Sequence, residues 1–324
     1  MSSNKVGIAV DGGGSKTKVV CHELTGDGKI IGEAKTGSTN PHSVGDASAE
    51  ASLHDGILAA LASAGRSTTD VACVCLGMSG VDRPEDKVKV RSWVRKIFGP
   101  ELPVMVSNDA QIALSNGTHG KLDGVVLICG TGTIALGYNG ATGEHFRAAG
   151  WGALLCDPGS GYDIGQRVLI AVASAHDGRG PQTGLTEALL ARLGFAKVED
   201  IIGWIYNEGK FCWQMVADVA PLALDFAEKG DAVAVGIMNE AAAGLAKSIF
   251  AVAERLGYEK ETEFTLVYAG GIACSGRISN RLDPIILERF PKAKIVIPKT
   301  DPVMGAVYLN NTLRPWETHS PEYY

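Results

Sequence analysis

A strand, a glycine-rich turn and a second strand occur twice at equivalent places in this chain, and this pattern limits the folds open to it. In the first copy the apolar run VGIAV leads through VDGGGSKTK (Val10–Lys18) into Val19 and Val20. In the second, GVVLICG leads through CGTGT (Cys129–Thr133) into IALGY. Apolar runs of strand length joined by so few turn residues predict tight β-hairpins. The repetition predicts a chain built of two similar halves.

Each half continues with the same order of predicted elements. Strands separated by turn signals come first, and helix-like and strand-like segments then alternate, which gives βββαβαβα and an α/β class. In the second half a helical insertion at about 176–260 precedes the next strand. The turn-rich NGTHGKLDG places a boundary near Gly117–Asp123, so we expect lobes at 1–118 and 119–324. In such a layout a ligand is expected in the cleft between the lobes.

Composition excludes several classes of function. The chain has 30 Lys and Arg against 36 Asp and Glu, a net charge of -6, and its basic residues are dispersed, so we expect no nucleic-acid partner. No apolar stretch approaches the ~18 residues that span a bilayer, so we expect no membrane partner. The seven cysteines are an odd number, set mostly in apolar runs, which indicates reduced thiols and a cytoplasmic protein.

The first glycine turn is compatible with two interpretations. It is neither a G-x-x-x-x-G-K-S/T loop nor a G-x-G-x-x-G turn that opens a helix. It is either a plain hairpin turn or a phosphate cradle, since glycines without Cβ let backbone N–H groups approach an anion. Asp11 would repel a phosphate unless a cation such as Mg2+ lies between them. The matching turn at CGTGT favours the cradle, because two such hairpins can clamp the phosphates of one nucleotide.

A series of motifs in chain order resembles the superfamily of sugar kinases, hsp70 chaperones and actin. VDGGGSKTK, VSNDA, LICGTGT, VYAGG and DPVMGAVYL are similar to its phosphate 1, connect 1, phosphate 2, adenosine and connect 2 motifs. Within it, STNPHSVG (Ser38–Gly45) and AGWGALLCDPGSGYDIG (Ala149–Gly165) resemble the N-acetylglucosamine kinase branch of the BadF/BadG/BcrA/BcrD ATPase family. The chain departs from that branch at CDPGS, where relatives have GDEGS, and at Ile134, where close relatives often have Asn.

The resemblance implies a duplicated actin-like (ribonuclease H-like) two-lobed fold, with a final helix at 302–312 that packs back on the first lobe. It implies an ATP-dependent and Mg2+-dependent kinase. The branch further implies transfer of the γ-phosphate to the 6-hydroxyl of N-acetylglucosamine, in a protein that forms a homodimer. The amino sugar itself stays open, because Ile134 lacks the amide group of the usual Asn.

The resemblance also assigns roles to residues. Asp109 is expected to be the general base; from its position alone it is equally a helix N-cap. Asp11 is expected to position the metal. The residues expected to bind ATP are Gly12, Gly13, Gly14, Ser15, Lys16, Thr17, Gly130, Thr131, Gly132, Gly270, Gly271 and Ser275. The residues expected to bind the sugar are Asn40, Asp109, Thr133, Gly150, Trp151, Gly152 and Asp157.

Structural interpretations stay open for the sugar residues. Asn40 before Pro41 is also a turn former. Trp151 is also a candidate for core packing, and Asp157 is also a candidate helix cap. Asp11 is also a candidate turn residue before Gly12.

Two other functions compete with N-acetylglucosamine phosphorylation. A glucosamine kinase has the same framework, with a carboxylate beside the free amine. An activator ATPase of the BadF type holds an iron–sulfur cluster between subunits through cysteines, but its cluster-ligand sequence is absent here. A chaperone or filament module is disfavoured, because the STN segment (Ser38–Asn40) and the GWG segment (Gly150–Gly152) have no role in such a protein.

Overall fold

The first strands of the chain form an antiparallel meander, and later strands extend it in parallel. A computed structural model describes residues 5–13, 16–155, 157–206 and 212–313. The chain divides into two compact units: the first comprises Met1–Asp123 with Pro298–Tyr324, and the second comprises Gly124–Ile297. Each unit contains a five-stranded sheet with helices, so the expected duplicated α/β class is confirmed.

The first unit is built on strands β1 (Val6–Gly12), β2 (Thr17–Glu23), β3 (Ile30–Thr36), β4 (Val71–Met78) and β5 (Val104–Ser107). The sheet order is β3-β2-β1-β4-β5. The helices are α1 (Pro41–Val44), α2 (Asp46–Ser63), α3 (Pro84–Phe98), α4 (Asp109–Thr118) and, from the end of the chain, α12 (Met304–Leu313). The parallel strands β1, β4 and β5 carry their carboxyl ends to one edge, which is where ligands bind in sheets of this kind.

The sheet of the first unit is covered on both faces because its central strands are apolar on alternate sides. Ile8 and Val10 of β1 lie in one core with α2 and α3 residues, whereas Ala9 lies in a second core with α4 and α12 residues. This period of two is the geometry of a β-strand. The continuous apolar run VGIAV therefore corresponds to a strand that is buried on both faces.

The second unit repeats the topology. Its strands are β6 (Gly124–Cys129), β7 (Thr133–Tyr138), β8 (His145–Ala149), β9 (Phe264–Ala269) and β10 (Ala293–Val296), in the order β10-β9-β6-β7-β8. Helix α5 (Gly161–His176) follows the meander, and α10 (Ala232–Arg255) and α11 (Gly276–Arg289) flank β9. The helical insertion also contains α6 (Leu185–Leu193), α7 (Asp200–Ile205), α8 (Trp213–Ala217) and α9 (Ala220–Glu228).

Helix α10 corrects one expectation from the sequence. By length and composition alone it could cross a membrane, whereas we expected no apolar segment of that length. Half of its most apolar window is buried within the unit, where residues such as Ile237, Leu245 and Ile249 join the hydrophobic core. Within the described residues it is therefore the core helix of an α/β layer, apolar because the sheet and neighbouring helices cover it.

Candidate active site

The first glycine turn closes the hairpin between β1 and β2. The two strands pair from Val6 with Glu23 to Gly12 with Thr17, and the amide of Gly13 donates to the carbonyl of Lys16 at 3.0 Å. A Cβ on Gly12 would collide with the Thr39 hydroxyl and lie 3.1 Å from Met78, so a glycine is required there. The predicted ATP ligands Gly14 and Ser15 lie outside the described residues.

The STN segment is attached to this hairpin by hydroxyl groups. Thr17 Oγ1 and Thr39 Oγ1 are 2.9 Å apart in a buried hydrogen bond. Ser38 Oγ donates to the carbonyl of Gly13 at 3.1 Å and accepts from the amide of Asn40 at 3.1 Å. The expected phosphate loop and the expected sugar residue Asn40 are therefore parts of one hydrogen-bonded network.

Asn40 itself has a structural role. Its Oδ1 accepts from the amide of His42 at 2.9 Å and so caps α1, and its Nδ2 donates to Ser79 Oγ at 3.4 Å. Gly80, with φ of 78°, leaves the space that the Asn40 amide occupies. The turn-forming interpretation of Asn40 therefore describes its geometry. A sugar hydroxyl would have to share the amide with these partners.

The structure removes the capping interpretation of Asp109. The N-cap of α4 is Asn108, whose Oδ1 accepts from the amide of Gln111 at 2.8 Å. Asp109 occupies the first helical position at the carboxyl end of β5, and its carboxyl is not needed as the cap. Desolvation raises the pKa of Asp109, the negative charge of Asp82 raises it further, and the amide of Ala110 opposes both.

Asp11 lies among other carboxylates of the first unit. Desolvation, the charge of Asp301 and the charge of Asp109 raise its pKa to about 6, and Lys16 and Lys18 counteract part of this. Lys18 Nζ is itself paired with Asp301 at 2.8 Å and with Glu33 at 3.1 Å. The excess of negative charge around Asp11 is therefore only partly compensated by protein groups.

Two acidic residues of this set were missed in the sequence. Asp301 precedes α12 in the DPVMGAVYL motif, and its position in a connect motif was an available signal. Asp82 lies in the loop after β4 and accepts a hydrogen bond from Asn108 Nδ2 at 2.9 Å. The sequence around Asp82 contains no motif that points to the site, because Asp82 comes close to α4 only through the parallel pairing of β4 with β5.

The second glycine turn packs on the start of α5. The amide of Gly130 donates to the carbonyl of Gly132 at 2.9 Å. The carbonyls of Gly130 and Thr131 accept from the amides of Gly161 and Tyr162, at 2.7 Å and 3.1 Å. Thr131 Oγ1 donates to Gln214 Oε1 at 2.8 Å, and the buried Thr133 Oγ1 donates to Cys129 Sγ at 3.3 Å. The loop is thus fixed by contacts within its own unit.

Asp157 is not a helix cap, which overturns the structural interpretation offered for it. The cap of α5 is Ser160, whose hydroxyl accepts from the amide of Asp163 at 3.1 Å. Asp157 Oδ1 instead accepts from the amides of Trp151 and Gly152, at 3.1 Å and 3.2 Å. Desolvation raises the pKa of Asp157, and backbone amides, that of Thr133 first, oppose the shift. Asp157 therefore ties the GWG segment to the second glycine turn.

The GWG segment presents its indole to solvent. Trp151 is 62% exposed, so the core-packing interpretation is wrong, and the Arg147 guanidinium lies 5.2 Å from its ring centroid. Ala149 (φ 60°), Gly150 (φ 72°) and Gly152 (φ 87°) all have left-handed backbone conformations. For Ala149 this costs roughly 1–2 kcal/mol. A Cβ on Gly150 would lie 3.1 Å from Ile134, which fills the space beside this turn.

The VYAGG motif begins within β9 and ends in the turn that follows the strand. Gly270 has φ of 86°, and a Cβ there would collide with the backbone of Cys129. The carbonyl of Cys129 accepts from the amides of Ile272 and Ala273, at 3.0 Å and 3.2 Å, so this turn lies against the strand that leads to the second glycine turn. Ser275 is the N-cap of α11, and Gly271 has open space where a Cβ would be.

Comparison with known proteins identifies the family. Residues 7–309 match the profile of the BadF/BadG/BcrA/BcrD ATPase family. The chain belongs to this family. A relative from Dictyostelium discoideum, described as N-acetyl-D-glucosamine kinase, is 42% identical over 315 residues, which cover 95% of this chain and 98% of that protein. A second relative, from Clostridium acetobutylicum, is described as N-acetylmuramic acid/N-acetylglucosamine kinase. It is 34% identical, and the match covers 93% of this chain and 97% of that protein.

Solved structures share the fold of this chain. A Chromobacterium violaceum protein provisionally described as an N-acetylglucosamine kinase has a TM-score of 0.70 at 27% identity, covering 95% of this chain and 99% of that one. The ROK hexokinase of Thermus thermophilus, at 14% identity and a TM-score of 0.54, shares the fold over 95% and 97% of the two chains.

Proposed function

We propose that this protein is an ATP-dependent kinase that transfers the γ-phosphate to the 6-hydroxyl of N-acetylglucosamine, with Asp109 as the general base. At the coarser level the chain is a sugar kinase, because it belongs to an ATPase family and is 42% identical, over nearly its whole length, to a relative of that activity. What we propose beyond this is the identity of the sugar, of the hydroxyl that is phosphorylated and of the general base.

The observation that carries the assignment of the base is the division of work between Asn108 and Asp109. Asn108 caps α4, so the Asp109 carboxyl remains available at the carboxyl end of β5. A general base is most effective when its pKa approaches the operating pH, and the raised pKa of Asp109 is in that direction. As the 6-hydroxyl attacks the γ-phosphate, the Asp109 carboxylate would accept the hydroxyl proton.

Phosphoryl transfer depends mainly on positioning and on compensation of charge. In the second unit, the backbone amides of the glycine turn and the exposed hydroxyl of Thr131 are the groups that would hold phosphate oxygens, whereas the buried Thr17 hydroxyl is already bonded to Thr39. Asp11 and Asp301 fit a hydrated Mg2+, because oxygen ligands suit this ion. Desolvation raises the pKa of Asp11, and the negative charges of Asp301 and Asp109 raise it further, so a cation would be favourable there. When bound, Mg2+ supplies charge compensation on the phosphates.

For the sugar, the GWG segment (Gly150–Gly152) of the second unit offers backbone groups, and Asp157 offers a carboxylate. Asp157 already accepts two amide hydrogen bonds, so its remaining lone pairs would serve the sugar hydroxyls. Ile134, which packs beside Gly150, gives this segment an apolar neighbour. An acetamide methyl group suits such a surface better than a free ammonium group does.

The test is a coupled ADP-release assay with Mg-ATP and a panel of N-acetylglucosamine, glucosamine, N-acetylmannosamine and glucose. We expect N-acetylglucosamine to give the highest kcat/KM, and 31P NMR to show a phosphate on carbon 6. Asp109→Asn should lower kcat by ~10²–10⁴-fold with the KM for the sugar little changed. Preference for glucosamine, or ADP release that no sugar stimulates, would overturn the proposal.

The activator ATPase is less well supported by the thiols. Burial raises the pKa of Cys129 to about 12, although the hydrogen bond that Thr133 donates to its sulfur opposes the shift. The net effect is an environment for a neutral thiol and not for a cluster ligand. Cys156 lies outside the described residues. A colourless protein after anaerobic purification is the expected result.

We also propose a homodimer in the cytoplasm. The measurement is the mass in solution by light scattering, compared with the 33.9 kDa of one chain. A mass equal to one chain at assay concentration would contradict the dimer.

A further inference from the structure

Asp82 has no role in the site as described so far, yet it contacts the segment that carries the proposed base. It lies in the loop between β4 and α3, just before the first residue of α3, Pro84. Its Oδ1 accepts a hydrogen bond from Asn108 Nδ2 at 2.9 Å. Asn108 is the residue immediately before Asp109.

The contacts of Asn108 fix the orientation of its side-chain amide. Its Oδ1 accepts from the amide of Gln111 at 2.8 Å, and Gln111 Oε1 lies 3.4 Å from the backbone amide of Asn108 in a reciprocal capping box. Nδ2 must then point away from the helix, toward an acceptor. Asp82 supplies that acceptor, and a flipped amide would place an oxygen against a carboxylate.

We propose that Asp82 is a positioning residue for the general base: it holds the Asn108 cap, and through it the first turn of α4, in the arrangement that presents Asp109. The inference rests on the proposed function, because it requires Asp109 to be the base. It adds a residue from another loop to the catalytic arrangement. A charge-assisted hydrogen bond of this kind is stronger than a neutral one.

Electrostatics gives Asp82 a second effect on the same group. Its negative charge raises the pKa of Asp109 in addition to desolvation. The charges of Asp11 in β1 and Asp109 also repel each other. The backbone amides of Ala110 and Asp109 donate hydrogen bonds that lower the pKa of Asp109 and so oppose its rise. Lys87 of α3 is a cation that interacts electrostatically with Asp82. A base with greater proton affinity accepts the hydroxyl proton more readily at neutral pH. Asp82 would thus hold Asp109 in place and increase its basicity.

The experiment separates the hydrogen bond from the charge. Asp82→Asn keeps an oxygen acceptor for Asn108 but removes the charge, whereas Asp82→Ala removes both. Glu85→Gln is the matched control, because Glu85 is an exposed acid in the first turn of α3 and loses the same charge at a distance from Asn108. The readout is the pH profile of kcat and kcat/KM with Mg-ATP and N-acetylglucosamine, with circular dichroism and thermal melting as folding checks.

Asp82→Asn removes a charge that raises the pKa of Asp109, so we expect the acid limb of the kcat/KM profile to move to lower pH. The plateau of kcat should also fall, but by less than the ~10²–10⁴-fold loss that removal of the base causes. Asp82→Ala should lower kcat further than Asp82→Asn, with the KM for ATP nearly unchanged. Glu85→Gln should follow the wild-type profile. An acid limb that stays in place in a folded Asp82→Asn protein, or that moves equally in Glu85→Gln, would overturn the inference.

Asp109→Asn, measured in parallel, separates this inference from the proposed function. If Asp109→Asn keeps wild-type kcat, the base assignment fails and the inference fails with it. If Asp109→Asn is inactive and both Asp82 variants keep the wild-type profile and rate, only the role of Asp82 is wrong.

Discussion

At the scale of single residues, the structure decides which of two similar neighbours caps a helix. Asn and Asp are both good helix caps, and the sequence VSNDA offers both at the start of α4. The structure gives the cap to Asn108, so the Asp109 carboxyl is available for chemistry. In the CDPGS segment, likewise, Ser160 caps α5 and Asp157 is used elsewhere.

Asp11 is the residue for which function and stability are expected to conflict. Its pKa is raised to about 6, so above that pH the native state holds an unfavourable carboxylate. Asp11→Asn should therefore stabilise the ligand-free protein at pH 8 by on the order of 2–3 kcal/mol and raise its Tm. The same change should raise the KM for Mg-ATP and leave the sugar affinity nearly unchanged, as isothermal titration calorimetry would measure.

Asp27→Asn is the control, since Asp27 is exposed in the turn between β2 and β3. Its Tm and its KM for Mg-ATP should equal those of the wild type. If Asp11→Asn abolished sugar binding while Mg-ATP use persisted, the glycine turn would be a structural hairpin only.

Asp157→Ala should weaken the GWG segment. The amides of Trp151 and Gly152 would lose their acceptor, at a cost of about 1–3 kcal/mol. We expect a higher KM for the sugar and faster hydrogen exchange of these two amides. Glu187→Ala, at an exposed position of α6, should change neither quantity. Unchanged exchange at Trp151 and Gly152 in Asp157→Ala would contradict the assigned contact.

At the scale of elements, the final helix is fixed to the first unit by one close crossing. A Cβ on Gly305 of α12 would collide with the carbonyl of Ile112 in α4, and Ser115 Oγ donates to the carbonyl of Gly305 at 2.7 Å. Helices α4 and α12 therefore approach each other through a glycine. Residues of α12 and α4 share the core on that face of the sheet.

Gly305→Ala should consequently destabilise the first unit. We expect a loss of more than about 2 kcal/mol in urea unfolding, because the obstacle is backbone and a shift would disturb both helices. Gly236→Ala in α10 is the matched control, since nothing lies within 4 Å of the added Cβ and helix propensity should make it neutral or stabilising by up to ~1 kcal/mol. Equal effects of the two substitutions would contradict the crossing.

The elements differed in how well the sequence predicted them. Helix α3 spans Pro84–Phe98, and its bounds can be read from the sequence, because proline starts it and glycine follows it. Helices α8 and α9 were not distinguished within the predicted insertion, since α9 is apolar over most of its length and lacks a side-chain cap. Tertiary packing, not periodicity, defines such short buried helices.

At the scale of the whole molecule, two buried groups of the first unit give opposite pH dependence. Burial lowers the pKa of His22 to about 4, where the neutral ring lies within 3.0 Å of Asn310 Nδ2 and 2.9 Å of the carbonyl of Glu23. Between pH 4 and 6.5 the unfolded state binds a proton at His22 that the native state does not, so stability falls as pH falls. For Asp11 the native state binds the proton, so stability rises as pH falls.

The two dependences of the unfolding free energy on pH should partly cancel in the wild type. A substitution at either residue should reveal the dependence that the other one causes. In Asp11→Asn the first unit should lose on the order of 2–3 kcal/mol between pH 6.5 and 4, and in His22→Gln it should lose a similar amount as pH rises from 4 to 6. Hydrogen exchange at the amides of β1 and β2, corrected for the intrinsic rate, measures both. Parallel slopes in the two variants would contradict the assignment.

The sequence alone determined the duplicated α/β fold and the family, because strand periodicity, glycine turns and motif order are local features that recur in each half. It did not determine which of Asn40, Asn108, Asp109 and Asp157 cap a helix, since side chains of similar chemistry compete for the same backbone amides. It also gave no sign of Asp82 beside Asn108. Tertiary structure decided these points, because the pairing of parallel strands brings separate loops to one sheet edge and assigns each amide its acceptor.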